Sequence, residues 1–182
     1  MSALLKSDYL KYKKYGGNFV SILFFTQGFW AILQYRFASF IYSSTMPSIL
    51  KKIILFFCLI WQKWIEILTG ISIPASVIIG HSFYIGHFGG IILNAKTIIG
   101  NNCNISQGVT IGVSGINEKR GVPKIGHKVY IGANAVIAGK IEIGNNVVIG
   151  ANSLVINSIE DSSLVVGNPA KIKKKIKTNN YI

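Results

Sequence analysis

His87 is the side chain in this sequence best suited to move a proton. It stands in Gly86-His87-Phe88-Gly89-Gly90, where three glycines leave the backbone free to bend around it. An imidazole titrates near neutral pH and can take the proton that keeps a hydroxyl a poor nucleophile. General-base chemistry is one use that such a side chain could have. On the residues alone, the alternative is a histidine that only packs at a subunit interface. His81 and His127 each follow a glycine and read as solvent-facing corner residues. No His-x4-His spacing occurs, so no metal cluster is expected. Cys58 and Cys103 sit in apolar runs and read as small buried side chains, not as a disulfide framework.

The charge is lopsided, with 19 Lys and Arg against 6 Asp and Glu. Lys6, Lys11, Lys13, Lys14, Arg36, Lys51, Lys52 and Lys63 crowd the first part against Asp8 and Glu66 alone. Lys171, Lys173, Lys174, Lys175 and Lys177 crowd the end. Such clusters suit a phosphorylated ligand, an anionic membrane surface or a nucleic acid, and plain solubility is the simpler reading. We expect the first two partners and no nucleic acid. Half of the residues are apolar, which excludes a disordered chain. Lys11–Lys14 followed by Phe19–Leu33 has the outline of a signal peptide, but Asn18, Thr26, Gln27 and Gly28 interrupt its apolar part. Phe19–Tyr42 is too broken, and Ile53–Trp61 too short, for a membrane span. The expected setting is cytoplasmic, with peripheral contact at the inner face of the membrane.

Two kinds of chain must position these residues. Before Gly70, long and aromatic side chains predict three helices, Leu4–Tyr15, Phe19–Tyr42 and Pro47–Leu68, separated at Gly16–Gly17 and at Ser43–Thr45. Pro47 suits a first helical turn and Gly70 a helix end. Beyond Gly70 every sixth residue is aliphatic: Ile73, Ile79 and Ile85, then Leu93, Ile99, Ile105 and Ile111, then Ile125, Ile131, Ile137, Ile143, Ile149 and Val155. Glycine directly follows eight of these thirteen. A period of six does not fit a helix, whose neighbours fall at three, four and seven. It fits a short strand followed by a tight corner, three to a coil, with the coils stacked into a parallel β-helix. His87 lies where the repeat gains two residues, an irregularity of the kind that re-aims a side chain.

The stretches YIGHFGGIILNAKTIIGNNCNISQGVTIG, IGANAVIAGKIEIGNNVVIGANS and VVGNPAK resemble the hexapeptide-repeat acyltransferases. Within them the chain looks like the serine O-acetyltransferase branch and its polysaccharide O-acetyltransferase relatives. The likeness runs from Gly70 to about Lys171, with an echo in GFWAILQYR, residues 28–36. It implies an all-β left-handed parallel β-helix behind an α-helical leading region. It also implies a homotrimer, or a dimer of trimers, with active sites in the clefts between neighbouring β-helices. By resemblance His87 is the catalytic histidine. Ser72 takes the place of the aspartate that orients it. Gly86 and Lys13 stand where the serine enzymes carry substrate-binding acids, and Val122 stands for a second histidine. Gly115, Ala133, Ala151 and Lys171 match positions that hold acetyl-CoA, the donor, with no metal. An amino-acid acceptor has an ammonium group that wants carboxylates. The expected acceptor is therefore a neutral sugar or a lipid-linked saccharide of surface-polysaccharide synthesis. Serine O-acetyltransferase and a non-enzymatic β-helical scaffold are the two alternatives. The expected divisions are a helical region 1–69 for membrane or oligomer contact, a β-helix 70–160 and a basic tail 161–182. The apolar surface offered for contact is expected from Phe19, Phe24, Phe25, Phe29, Trp30, Phe37 and Phe40, then Ile53–Trp61 and Trp64.

Overall fold

In a computed structural model the chain is a left-handed parallel β-helix under a layer of four helices. The structure describes residues 1–175, 178, 181 and 182, and the side chain of Lys119 is outside the description. Lys177 of the basic tail lies outside the described residues.

Three short strands make each turn. The first face stacks β1 (Ile71–Ser72), β4 (Ile91–Leu93), β7 (Thr110–Gly112), β10 (Val136–Ala138) and β13 (Leu154–Val155). The second stacks β2 (Ile78–Ile79), β5 (Ile98–Ile99), β8 (Lys124–Ile125) and β11 (Glu142–Ile143). The third stacks β3 (Tyr84–Ile85), β6 (Asn104–Ile105), β9 (Tyr130–Ile131), β12 (Val148–Ile149) and β14 (Ser163–Val166), and ends on β15 (Lys171–Lys175). All pairs are parallel in register except β14 with β15, which run antiparallel. The β-helix therefore continues past the boundary expected at 160, and part of the basic tail is its closing strand.

All thirteen repeat positions point inward, none more than 5 % exposed. A second inward column lies two residues before each: Ile71, Val77, Phe83, Ile91, Thr97, Cys103, Val109, Pro123, Val129, Ala135, Ile141, Val147 and Ser153, all buried. The repeat thus buries two positions in six. Cys103 belongs to this column, and burial pushes its thiol up to about 11. The corner between the second and third faces carries a chain of side-chain bonds. Asn101 Oδ1 accepts from His81 N–H, His127 Nδ1 from Asn101 N–H, Asn145 Oδ1 from His127 N–H and Asp161 Oδ1 from Asn145 N–H. His127 is thus a rung of this ladder.

The helices are α1 (Ser2–Lys14), α2 (Phe19–Phe25), α3 (Gln27–Ser43) and α4 (Ser48–Thr69). The single helix expected over Phe19–Tyr42 is broken at Thr26, which is extended at φ −112, ψ 96 and donates its hydroxyl to Ser21 O at 2.8 Å. The break redirects α3 so that Gly28 lies against β3, where a Cβ would collide with the Ile85 carbonyl. Pro47 is the N-cap of α4, one position outside the helix. Gly70 ends α4 in the left-handed region at φ +67.

The leading helices close the open edge of the first coil. Tyr35 Oη donates to Val77 O at 2.8 Å and accepts from Ile79 N–H at 3.2 Å. Arg36 donates to Ile79 O and Gly80 O at 2.7 and 2.6 Å. Asp8 accepts from Phe83 N–H at 2.8 Å, and Tyr12 Oη bonds both N–H and C=O of Ile85. Asp8 and Arg36 pair at 2.8 Å, both buried. These side chains satisfy edge groups that would otherwise be buried without partners. Tyr35 and Arg36 end the GFWAILQYR stretch, so that echo belongs to the edge closure.

Candidate active site

The turn from the third face to the first recurs once per coil, and four of the six expected site residues, His87, Ala133, Ala151 and Lys171, lie along it. His87 follows β3 and precedes β4. One coil on, Gln107–Gly108 follows β6; then Ala133–Asn134 follows β9, Ala151–Asn152 follows β12, and the turn to Lys171 follows β14. Backbone bonds tie the column together: Gly108 N–H to Gly89 O, Asn134 N–H to Gln107 O, Asn152 N–H to Ala133 O and Leu154 N–H to Gly167 O, each 2.8–3.0 Å. With coils about 4.8 Å apart, Ala133 lies about 10 Å along the edge from His87, Ala151 about 14 Å and Lys171, on the closing strand, about 24 Å. Ala133 is half-buried and Ala151 exposed, so both backbones border open surface. Lys171 is exposed on β15.

The histidine loop is held by glycines. Gly89 and Gly90 adopt φ +103 and +64, and Gly89 N–H donates to Thr69 O at 2.8 Å. A Cβ on Gly70 would stand 2.9 Å from Gly90 N, so the end of α4 and the loop meet backbone to backbone. His87 itself is exposed. Beside it, a Cβ on Gly86 would sit 3.1 Å from the ring of Tyr84. That ring stacks against Tyr15 at 4.4 Å and Tyr12 at 4.6 Å. A side chain at position 86 would therefore press on this aromatic group, which would have to give by a few tenths of an ångström.

Ser72 lies on β1, paired with Ile92 just beyond the loop. Its hydroxyl donates to Glu66 Oε1 at 2.7 Å. With its proton spent there, Ser72 can meet the imidazole only as an acceptor. Glu66, on the last turn of α4, also accepts from Gln62 at 2.8 Å and from Lys63 at 2.6 Å. Against the upward pull of partial burial, the bonds from Lys63, Ser72 and Gln62 hold its carboxyl below the usual range. The sequence reading left this position without an acid. A carboxylate stands beside it, supplied by a different element and already accepting from three donors. No repeat spacing announces it; a lone acid near the end of an apolar helix was the available signal.

Gly115 is not on this edge. It sits at φ +95 in the loop between β7 and β8, at the turn from the first face to the second. The loop folds back on itself through paired bonds between Ser114 and Gly121, and Lys140 donates to Glu118 O at 3.3 Å. Its Ile116 is 80 % exposed. Within one chain, Gly115 and the Ala133–Ala151 column are separated by the width of the first face.

The family model described as bacterial transferase hexapeptide (six repeats) matches residues 123–157. The serine acetyltransferase of Synechococcus elongatus is 31 % identical over 155 residues, covering 85 % of this chain and 60 % of that one. The "Putative colanic acid biosynthesis acetyltransferase WcaB" of Escherichia coli K12 is 36 % identical over 143 residues, covering 78 % of this chain and 88 % of that one. Among solved structures, serine acetyltransferase from Brucella abortus in complex with coenzyme A superposes with a TM-score of 0.83 at 26 % identity, over 96 % of this chain and 68 % of that one. The chain spans less than two thirds of the curated serine acetyltransferases it matches, 60 %, 47 % and 53 % of three of them.

Proposed function

The chain belongs to the bacterial hexapeptide transferases, in their serine O-acetyltransferase-like branch, and from that we propose that it moves an acetyl group from acetyl-CoA to a sugar hydroxyl during surface-polysaccharide synthesis. One observation carries the reading: the edge that begins at His87 runs past Ala133 and Ala151 to Lys171. Small residues leave a strip of backbone for an extended arm. Lys171, with Lys173 and Lys174 beyond it on exposed β15, supplies cations for phosphates at its far end.

In the reaction, His87 takes the proton of the acceptor hydroxyl as its oxygen attacks the thioester carbonyl. The C–O bond forms and the tetrahedral intermediate collapses with loss of the C–S bond. The imidazolium returns its proton to the departing sulfur, giving the O-acetyl sugar and CoA thiol. Ser72, its own proton committed to Glu66, has only lone pairs to offer an imidazole N–H. In a homotrimer the Gly115 loop of one protomer, with Ile116 at its tip, covers the His87–Ala151 edge of its neighbour.

A neutral acceptor is supported by the surroundings of His87. Position 86 is glycine with Tyr84 against its flank, and Glu66 already accepts from three donors; by resemblance, Lys13 stands where the serine enzymes carry an acid. An incoming ammonium would share a carboxylate whose charge Lys63 already balances. Similarity to WcaB points the same way. Serine O-acetylation is the second reading, favoured by the number of serine acetyltransferases among the relatives. The test is mass spectrometry of the surface polysaccharide made with wild type and with His87→Ala. We expect acetyl to be lost in the variant, as removal of a general base costs about 10²–10⁴-fold. Acetylation within about threefold of wild type would overturn the role of His87. Efficient turnover of free L-serine would overturn the acceptor.

A further inference from the structure

Helix α4 has two apolar sides, and the chain uses one. Cys58, Gln62, Ile65 and Thr69 turn inward, with Gln34 of α3 donating to Cys58 O at 3.1 Å. On the far side Ile49, Ile53, Phe57, Ile60, Trp64 and Ile67 recur at helical spacing along the whole helix. Ile49 is 75 % exposed, Phe57 63 %, Trp64 60 % and Ile67 74 %. At 1.5 Å per residue this strip runs about 27 Å from Ile49 to Ile67. An apolar surface of that extent marks contact with something other than water.

We propose that this face lies flat in the interface of an anionic phospholipid membrane, with α4 parallel to the surface. Charge selects this occupant. Lys52 and the largely exposed Lys63 flank the strip on one side. The only acids before residue 118 are Asp8 and Glu66. Asp8 is buried on Arg36, and Glu66 is turned to Lys63, Ser72 and Gln62. Beside the strip, Lys63 is paired with Glu66, Lys52 is exposed with no ion pair among the described residues, and neither carboxylate is free. A second copy laid on the same face would bring like charges together, whereas anionic headgroups complement them. No helix among the described residues is long and apolar enough to cross a membrane, which agrees with a helix lying in the interface. The Phe29, Trp30 and Phe37 expected on the contact surface are not there. Phe29 is buried, Trp30 donates its indole N–H to Leu23 O, and Phe37 lies against Trp61.

The full chain is floated with vesicles of phosphatidylcholine alone and of phosphatidylcholine with phosphatidylglycerol, at low and high salt. We expect it to rise with the anionic vesicles, less in high salt and less with neutral ones. Lys52→Ala should weaken partition about fivefold, the fold-change equivalent to the ~1 kcal/mol that one basic residue contributes near an anionic surface. Phe57→Glu with Trp64→Glu should abolish it while circular dichroism stays that of wild type, since both residues face outward. If wild type stays in the dense fraction at low salt, the proposal is overturned. If the double variant then splits a larger assembly, a second copy covers the face instead. Neither readout depends on acetyl transfer.

Discussion

Lys11 sits in an unusual place for a lysine. It is buried, and its ammonium donates to Asn102 Oδ1 at 2.7 Å near Cys103, Lys14 and Asp8. Burial pulls its pKa down to about 8, from an ordinary 10.5. Between those values the unfolded chain binds the extra proton, so stability rises with pH. Cys103 opposes this. Its thiol is pushed from 9.0 to about 11, so above about pH 9 the unfolded chain is the first to lose that proton, which lowers stability. Urea titrations should show stability rising between about pH 8 and 9 and levelling above, and Lys11→Met should remove the rise. Thr97 offers a second test. Its hydroxyl is buried in the inner column with no partner among the described residues. Thr97→Val keeps the shape and should stabilise by about 1 kcal/mol in the same titration. At this scale the sequence reveals a residue when the repeat itself frames it. His87 stands out because two extra residues interrupt a strict period. Glu66 does not, because its partnership with Ser72 joins a helix to a strand through a contact that no periodicity encodes.

At the scale of elements, the inward register was legible because β-branched side chains recur at a period that only a coil of short strands can use. The second inward column was harder to see. It admits Thr97, Cys103, Ala135 and Ser153, whose small size matters more than their polarity. The break at Thr26 was hidden, since it follows from the need to seat Gly28 on Ile85. The edge closure was hidden too, because Asp8, Tyr12, Tyr35 and Arg36 lie far apart in the chain from the strands they serve. The Asp8–Arg36 pair gives the closure a measurable weight. Arg36→Ala strips a buried carboxylate of its partner and frees the carbonyls of Ile79 and Gly80. It should cost about 3–5 kcal/mol in urea unfolding. A loss under about 1 kcal/mol, the worth of an exposed pair, would show that the edge does not need it.

The whole molecule is less divisible than its sequence suggests. Composition changes sharply at Gly70, yet the helices on one side complete the backbone bonding of the coil on the other. At the opposite end β15 turns back on β14, and Lys175 reaches Glu160 at 2.8 Å, so part of the basic tail is built into the coil. One feature of this arrangement bears on how the protein is made. Asp8 and Ser7 accept from backbone groups 75 residues further along the chain. At about 5–20 residues per second, translation needs roughly 4–15 s to produce the edge that α1 will cover. Throughout that interval the helices are in the cell without the surface they fold against, their apolar sides bare. In the membrane placement proposed for α4, lipid would shelter them while the ribosome finishes the coil, and newborn chains without it would be the ones prone to aggregate.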